Sequence, residues 1–136
     1  MANALYDLGR EAFLSGDITW DGDAIKTILV DSALYTPNLA TDQFLSDVPA
    51  GSRTAPSSAL VSKTVTAGVA DAGDVTYSAV PIDDPQEYVV IYQDTTVEGT
   101  SRLIALIDTA TGLPVTPNGG DIIVQWSSGA DKIFKL

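Results

Sequence analysis

The side chains able to do chemistry in this sequence are its carboxylates. There are 18 aspartates and glutamates against 7 lysines and arginines, with no histidine and no cysteine. Without imidazole the chain lacks the commonest general base and transition-metal ligand. Without thiols it lacks disulfides, thiolate nucleophiles and Cys-ligated metal centres. The carboxylates come closest together at Asp21-Gly22-Asp23 and at Asp83-Asp84. Calcium takes about six to eight oxygens, and no loop of regularly spaced Asp and Asn ligands closed by a distal Glu supplies them here. Both pairs read as ordinary turns, with a structural cation as the rival reading.

Other reaction classes fail on the same residue-level grounds. Glycoside hydrolysis needs one carboxylic acid held protonated in a cleft, whereas Glu11, Glu87 and Glu98 stand alone and the aspartates fall in expected turns. No G-x-S-x-G elbow or S-x-x-K pair activates a hydroxyl. Gly119-Gly120, within Pro117-Asn118-Gly119-Gly120-Asp121, lacks both G-x-G-x-x-G and a following Lys-Ser or Lys-Thr, so it reads as a tight turn rather than a phosphate loop. No catalytic, cofactor-binding or metal-ligating residue is therefore assigned, and the chain is not expected to be an enzyme. Trp20 and Trp126, with Tyr35, Tyr77, Tyr88 and Tyr92, can be read as a sugar-stacking platform, but aromatics at strand positions are normally packed in a core or subunit interface. Coplanar exposed rings would distinguish the two.

Charge limits the partners. The formal net charge is -11, and the basic residues Arg10, Lys26, Arg53, Lys63, Arg102, Lys132 and Lys135 form no run. Phosphate neutralisation depends on clustered Lys and Arg, so neither nucleic acid nor an anionic membrane is expected as a partner. Residues 1–15 lack a basic start followed by an unbroken apolar run, so no signal peptide is expected, and the longest apolar stretches are strand-sized. A soluble protein made in a cytoplasm is the expectation.

The elements that would position these residues are mostly strands. The 136 residues suit one domain, 1–136, and an apolar fraction of 45% argues against disorder. Asn3 is placed to cap a short helix within residues 1–16, carrying Leu5, Leu8 and Ala12, flanked by Tyr6 and Phe13 and stopped by Gly16. Gly9 weakens that helix by about 1 kcal/mol relative to alanine, so the helix needs a surface to dock on. Ile18, Trp20, Ile25 and residues 27–30 then read as a hairpin-like start to a sheet, broken at Asp21-Gly22-Asp23. Residues 31–58, with Pro37, Pro49 and Pro56, read as a long irregular surface segment, with one or two helical turns within 41–48. Strand signals recur at 59–67, 75–80, 87–93, 102–108, 121–126 and 132–136. Residues 88–92 and 103–107 are nearly all apolar and suit the middle of a sheet, whereas 64–66 and 76–78 alternate like half-exposed antiparallel strands. The expected fold is mainly β: an antiparallel β-sandwich, jelly-roll-like, with a short N-terminal helix and one long irregular loop.

Several stretches carry a resemblance. They are Met1-Ala2-Asn3-Ala4-Leu5-Tyr6, Ala33-Leu34-Tyr35-Thr36-Pro37-Asn38-Leu39-Ala40-Thr41, Phe44-Leu45-Ser46-Asp47, Asp108-Thr109-Ala110-Thr111-Gly112-Leu113-Pro114-Val115 and Ile133-Phe134-Lys135-Leu136. Together they resemble the capsid cement, or head decoration, proteins of tailed bacteriophages. The likeness covers nearly the whole chain but rests on turn and packing residues, and it brings no catalytic residues with it. It implies a jelly-roll-like protein on the outer surface of the virion capsid, linking neighbouring major capsid proteins as a homodimer or homotrimer. An acidic body suits an outer face, away from packaged DNA. The alternatives are a phage tail or fibre component, or a carbohydrate-binding β-sandwich module. Leu5, Tyr6, Leu8 and Phe13 of the N-terminal helix, and Tyr35, Pro37, Leu39, Phe44 and Leu45 of the long segment, are the candidate partner contacts, with packing on the domain's own sheet as the rival reading.

Overall fold

Three apolar runs too hydrophobic to tolerate a wet face lie side by side and organise everything else. The computed structural model describes residues 3–56 and 59–136. The chain runs through β1 (Ala4–Leu5), α1 (Asp7–Leu14), β2 (Ile25–Val30), 3-10 turns at Leu45–Asp47 and Ala50–Ser52, and β3 (Arg53–Pro56). It continues through β4 (Thr64–Thr66), β5 (Val69–Asp71), β6 (Val75–Tyr77), β7 (Tyr88–Gln93), β8 (Leu103–Ile107), β9 (Ile122–Val124) and β10 (Phe134–Lys135). A five-stranded sheet has the order β1-β8-β7-β2-β3, beside a three-stranded sheet β10-β5-β4 and a pair β6-β9, with every pairing antiparallel. The fold is thus mainly β and antiparallel with one helix, its strands divided over sheets of five, three and two.

Side chains alternate across the large sheet, and both faces are apolar. Ile25, Leu29, Val89, Ile91, Ala105 and Ile107 enter one core cluster, while Ile28, Val30, Val90, Tyr92, Leu103 and Leu106 enter the other. The register slips twice, once between β2 and β3, where Ile28 pairs with Pro56 but Leu29 with Thr54, and once between β7 and β8. Ile91 pairs with Ala105 but Tyr92 with Leu103, so Ile104 is the extra residue of a bulge and joins Ala105 on the first face. Each such aliphatic side chain, fully buried, contributes about 1.5–3 kcal/mol.

The first face is covered by Ala12 of α1 and by the small sheets, through Ala70, Val75, Tyr77, Ile122, Val124 and Phe134. The second is covered by the long segment, whose Tyr35, Leu45 and Val48 are buried together with Tyr6. Within the described part of residues 31–58, which leaves out Ser57 and Ser58, the segment is therefore a lid on the sheet, because a sheet apolar on both faces must be covered on both. It is stitched to the β8 side by Leu45 N donating to Ser101 O and Leu103 N to Gln43 O, each 2.8 Å. Asp47 Oδ2 accepts from the amides of Gln43 (2.8 Å) and Phe44 (2.9 Å), closing the first 3-10 turn. Under the lid the Tyr35 hydroxyl donates to Asp42 Oδ2 at 2.7 Å, so the Tyr6 hydroxyl, 2.9 Å from Tyr35, must donate to it in turn.

The N-terminus differs from the expected helix. Met1 and Ala2 lie outside the described residues, and Ala4 and Leu5 pair with Leu106 and Ala105 of β8, so the helix begins only at Asp7. Asn3 is not its cap: Asn3 Oδ1 accepts from the amides of Asp108 (2.8 Å) and Thr109 (2.9 Å), and Nδ2 donates to Thr109 O (3.1 Å). A side chain that satisfies three backbone groups of a distant turn is better used there than on a helix starting four residues later. Gly16, at φ 78°, does end the helix, with Asp17 N returning to Ala12 O at 2.8 Å. Ile18 and Trp20 are buried but lie in no strand, and 59–67 yields only β4, because Ala67 (φ 52°) and Gly68 (φ 81°) turn the chain back into β5.

Gly9 shows how α1 docks. A Cβ at this position would lie 2.5 Å from Leu103 O and 3.2 Å from Ile104 Cα, both backbone atoms of β8. Intrinsic propensity favours Gly9→Ala by about 1 kcal/mol, but displacing helix or strand costs about 1–3 kcal/mol. Gly9→Ala is expected to lower stability in urea unfolding; a gain would show that α1 does not sit against β8 as described.

Tyr6, Tyr35 and Tyr77 are pushed well above the ordinary phenolic range by burial, and Tyr92 up to about 12, first by burial and then by Asp94. Their folded values exceed the unfolded value of about 10. Their contribution is therefore complete below that pH and is lost as pH rises through the folded values. Alkaline titration followed by phenolate absorbance should show these four ionising together with the loss of far-UV dichroism; ionisation near pH 10 in the folded protein would contradict their burial.

Candidate functional site

The carboxylate pairs make turns. Asp23 Oδ2 accepts from Thr19 N and from Gln93 Nε2, each 2.7 Å, while Lys63 Nζ donates to the Asp23 carbonyl. Asp83 accepts from the Thr54 hydroxyl (2.6 Å) and the Asp84 amide (2.8 Å), and the Thr54 hydrogen bond is the main cause holding its carboxyl below the usual range. Among the described residues no three Asp or Glu side chains converge as a cation site would require. Gly119, at φ 92°, donates to Val80 O at 2.7 Å and Val80 N donates to Gly120 O at 3.0 Å, which pairs the glycines with the residue beyond β6, while Asn118 Oδ1 accepts from Gly120 N at 3.0 Å and bends the chain into β9.

The aromatic rings are packing pieces. Trp20, Tyr35, Tyr77 and Tyr92 are buried, and the indole nitrogens of Trp20 and Trp126 donate to Asp71 O (3.1 Å) and Gly73 O (3.0 Å). Trp20 stands edge-on to Phe134 at 5.2 Å and 86°. These rings do not assemble into an exposed platform.

The nine candidate contact residues divide by position. Tyr6, Tyr35 and Leu45 are buried in the second core cluster, with Leu39 packed partly against it. Leu8, Pro37 and Phe44 are half-buried, and Phe44 carries the Arg102 guanidinium 5.7 Å from its ring centre. Leu5 and Phe13 are brought to the C-terminal strand, where two grooves meet.

One groove, about 390 Å³, is apolar. Phe13, Ile18, Trp20, Val65, Ala70 and Leu136 line it, and Val65 and Leu136 are exposed. The other, about 450 Å³, runs between two sheet edges: Ala4 and Leu5 of β1 on one side, Phe134 and Lys135 of β10 on the other, with Ala105 and Ile107 of β8. The C-terminal strand separates the two: Leu136 lines only the apolar groove, Lys135 only the other, and Phe134 borders both.

The second groove is basic. Arg10, Lys132 and Lys135, three of the chain's seven bases, line it with a single carboxylate, Asp131. Elsewhere the bases are occupied: Lys26 pairs with Asp94 at 2.9 Å, Arg53 grips Glu98 at 2.8 and 3.1 Å, and Arg102 lies 3.8 Å from Asp17. Lys26 and Arg53 hold the carboxyls of Asp94 and Glu98 below their usual range. Arg10 has an exposed partner, Asp7, at 3.6 Å. Among the described residues Lys132 and Lys135 form no ion pair, and both are exposed. Lys132 also adopts the left-handed backbone, at φ 48°.

Sequence reasoning missed this groove because Arg10 is separated from its partners by most of the chain. The only local signal was two lysines within the last five residues. No family model matches the chain, and no curated protein matches it.

Proposed function

We propose that this chain is a capsid cement protein of a tailed bacteriophage, binding the outer surface of the head and linking neighbouring major capsid proteins as a dimer or trimer. The resemblance borne by the stretches around Tyr35, Phe44, Asp108 and Phe134 supplies the role. The observation that carries it in the fold is the meeting of an apolar and a basic groove along β10, a surface suited to docking, on a body whose carboxylates are spent on turns and ion pairs. Such a protein acts through binding energy alone. It stabilises the assembled shell by mass action, because its interface exists only there.

Two features favour the outer face. The acidic body would be repelled by packaged DNA. Both faces of the large sheet are covered from within the chain, which gives a self-sufficient domain that can add to a finished shell. Purified virions should carry the protein in numbers comparable to the major capsid protein, and particles lacking it should release DNA at lower temperature. Its absence from heads, or its location on the tail by particle imaging, would overturn the proposal.

A further inference from the structure

We propose that the groove between β1 and β10 binds an extended segment of another protein in which carboxylates alternate with apolar residues. The inference concerns the chemistry of the partner and stands whether or not that partner is a capsid subunit.

Charge sets the groove apart from the rest of the surface. With Arg10, Lys132, Lys135 and Asp131 lining the groove, 17 acids and four bases remain for the rest of the chain. The groove is thus a positive site on a strongly negative body, and among the described residues neither of its exposed lysines pairs with a carboxylate. Leaving Lys132 and Lys135 unpaired in a chain with so many acids offers the groove's charge to something outside it. Opposite charge held near such a site speeds encounter and fixes register.

Shape and polarity select the kind of anion. The floor includes Leu5, Ala105, Ile107 and Ile133, largely buried side chains that present a narrow apolar strip between the cations, so a ligand lying along the groove gains by bringing small apolar groups as well as charge. A free phosphate or carboxylate lacks them. Nucleic acid brings continuous negative charge, which the surrounding acidic surface repels beyond the reach of three cations. A peptide strand presents alternate side chains to opposite sides, which matches a floor of aliphatics beneath a rim of cations. The walls suit it too, since β1 and β10 are each the last strand of their sheet.

The full-length protein would be titrated with a short peptide alternating glutamate and valine, and with the same peptide carrying lysine for glutamate. The acidic peptide should bind and the basic one should not, with affinity falling as salt is raised. Lys132→Gln with Lys135→Gln should weaken binding about tenfold. Ser78→Glu with Thr116→Glu, which changes net charge equally at exposed positions outside the groove, should leave it within about twofold. Unchanged melting temperatures would establish that both variants fold. The proposal is overturned if the acidic peptide does not bind, if both peptides bind alike, or if both double variants behave alike. It is also overturned if inorganic phosphate displaces the peptide at equal concentration, or if the lysine variant instead abolishes self-association, which would make a second copy the occupant. None of these outcomes alters whether the protein is found on virions, so this inference and the cement reading fail separately.

Discussion

A sheet whose central strands are apolar on both sides cannot face water on either. That constraint sets the rest of the structure. β2, β7 and β8 bury residues in both core clusters, so the chain must provide two covers from its own length. One is regular: α1 and the two small sheets. The other is mostly irregular backbone, residues 31–52, held by its buried side chains, by its hydrogen bonds to Ser101 and Leu103, and by the relay from Tyr6 through Tyr35 to Asp42. Irregular backbone is tolerable there because its polar groups find partners in turns, in Asp42 and Asp47, and along the strand edge.

Residues spent on covering the sheet are not available for recognition. Tyr6, Tyr35 and Leu45 have the hydrophobicity of contact residues, yet they close the second core. What remains for a partner lies where the first cover leaves sheet edges open, at the C-terminal strand. Acidity belongs to the same division. Lys26, Arg53 and Arg102 are tied to carboxylates around the large sheet, which leaves the groove lysines as charge without an internal use.

The central strands were legible because period and hydrophobicity agree: no helix pattern competes with residues 88–92 or 103–107. The tight turn at Gly119-Gly120 was legible from glycine chemistry. The turn at Ala67-Gly68 was not, since alanine seldom takes a positive φ and gives no turn signal. The start of α1 was misplaced because Leu5 and Leu8 fit a helical period equally well whether or not Leu5 pairs with Ala105 first. Gly9 looked like a weakness in a helix; the close approach of β8 that requires it is a tertiary fact. Asn3 likewise fits a cap until the turn at Asp108 is brought beside it. The basic groove depends on three residues from opposite ends of the sequence meeting across two sheets, and no local pattern encodes that.

The most direct test of the two-cover account is native-state amide hydrogen exchange. The amides of Leu45 and Leu103, which bond across the second cover, should exchange only on global unfolding, with protection matching that of Val90 and Ile91 at the sheet centre. Exchange of Leu45 and Leu103 orders of magnitude faster than the sheet centre would contradict it, showing residues 31–52 to be a detachable arm and Tyr35 and Leu45 to be free for a partner.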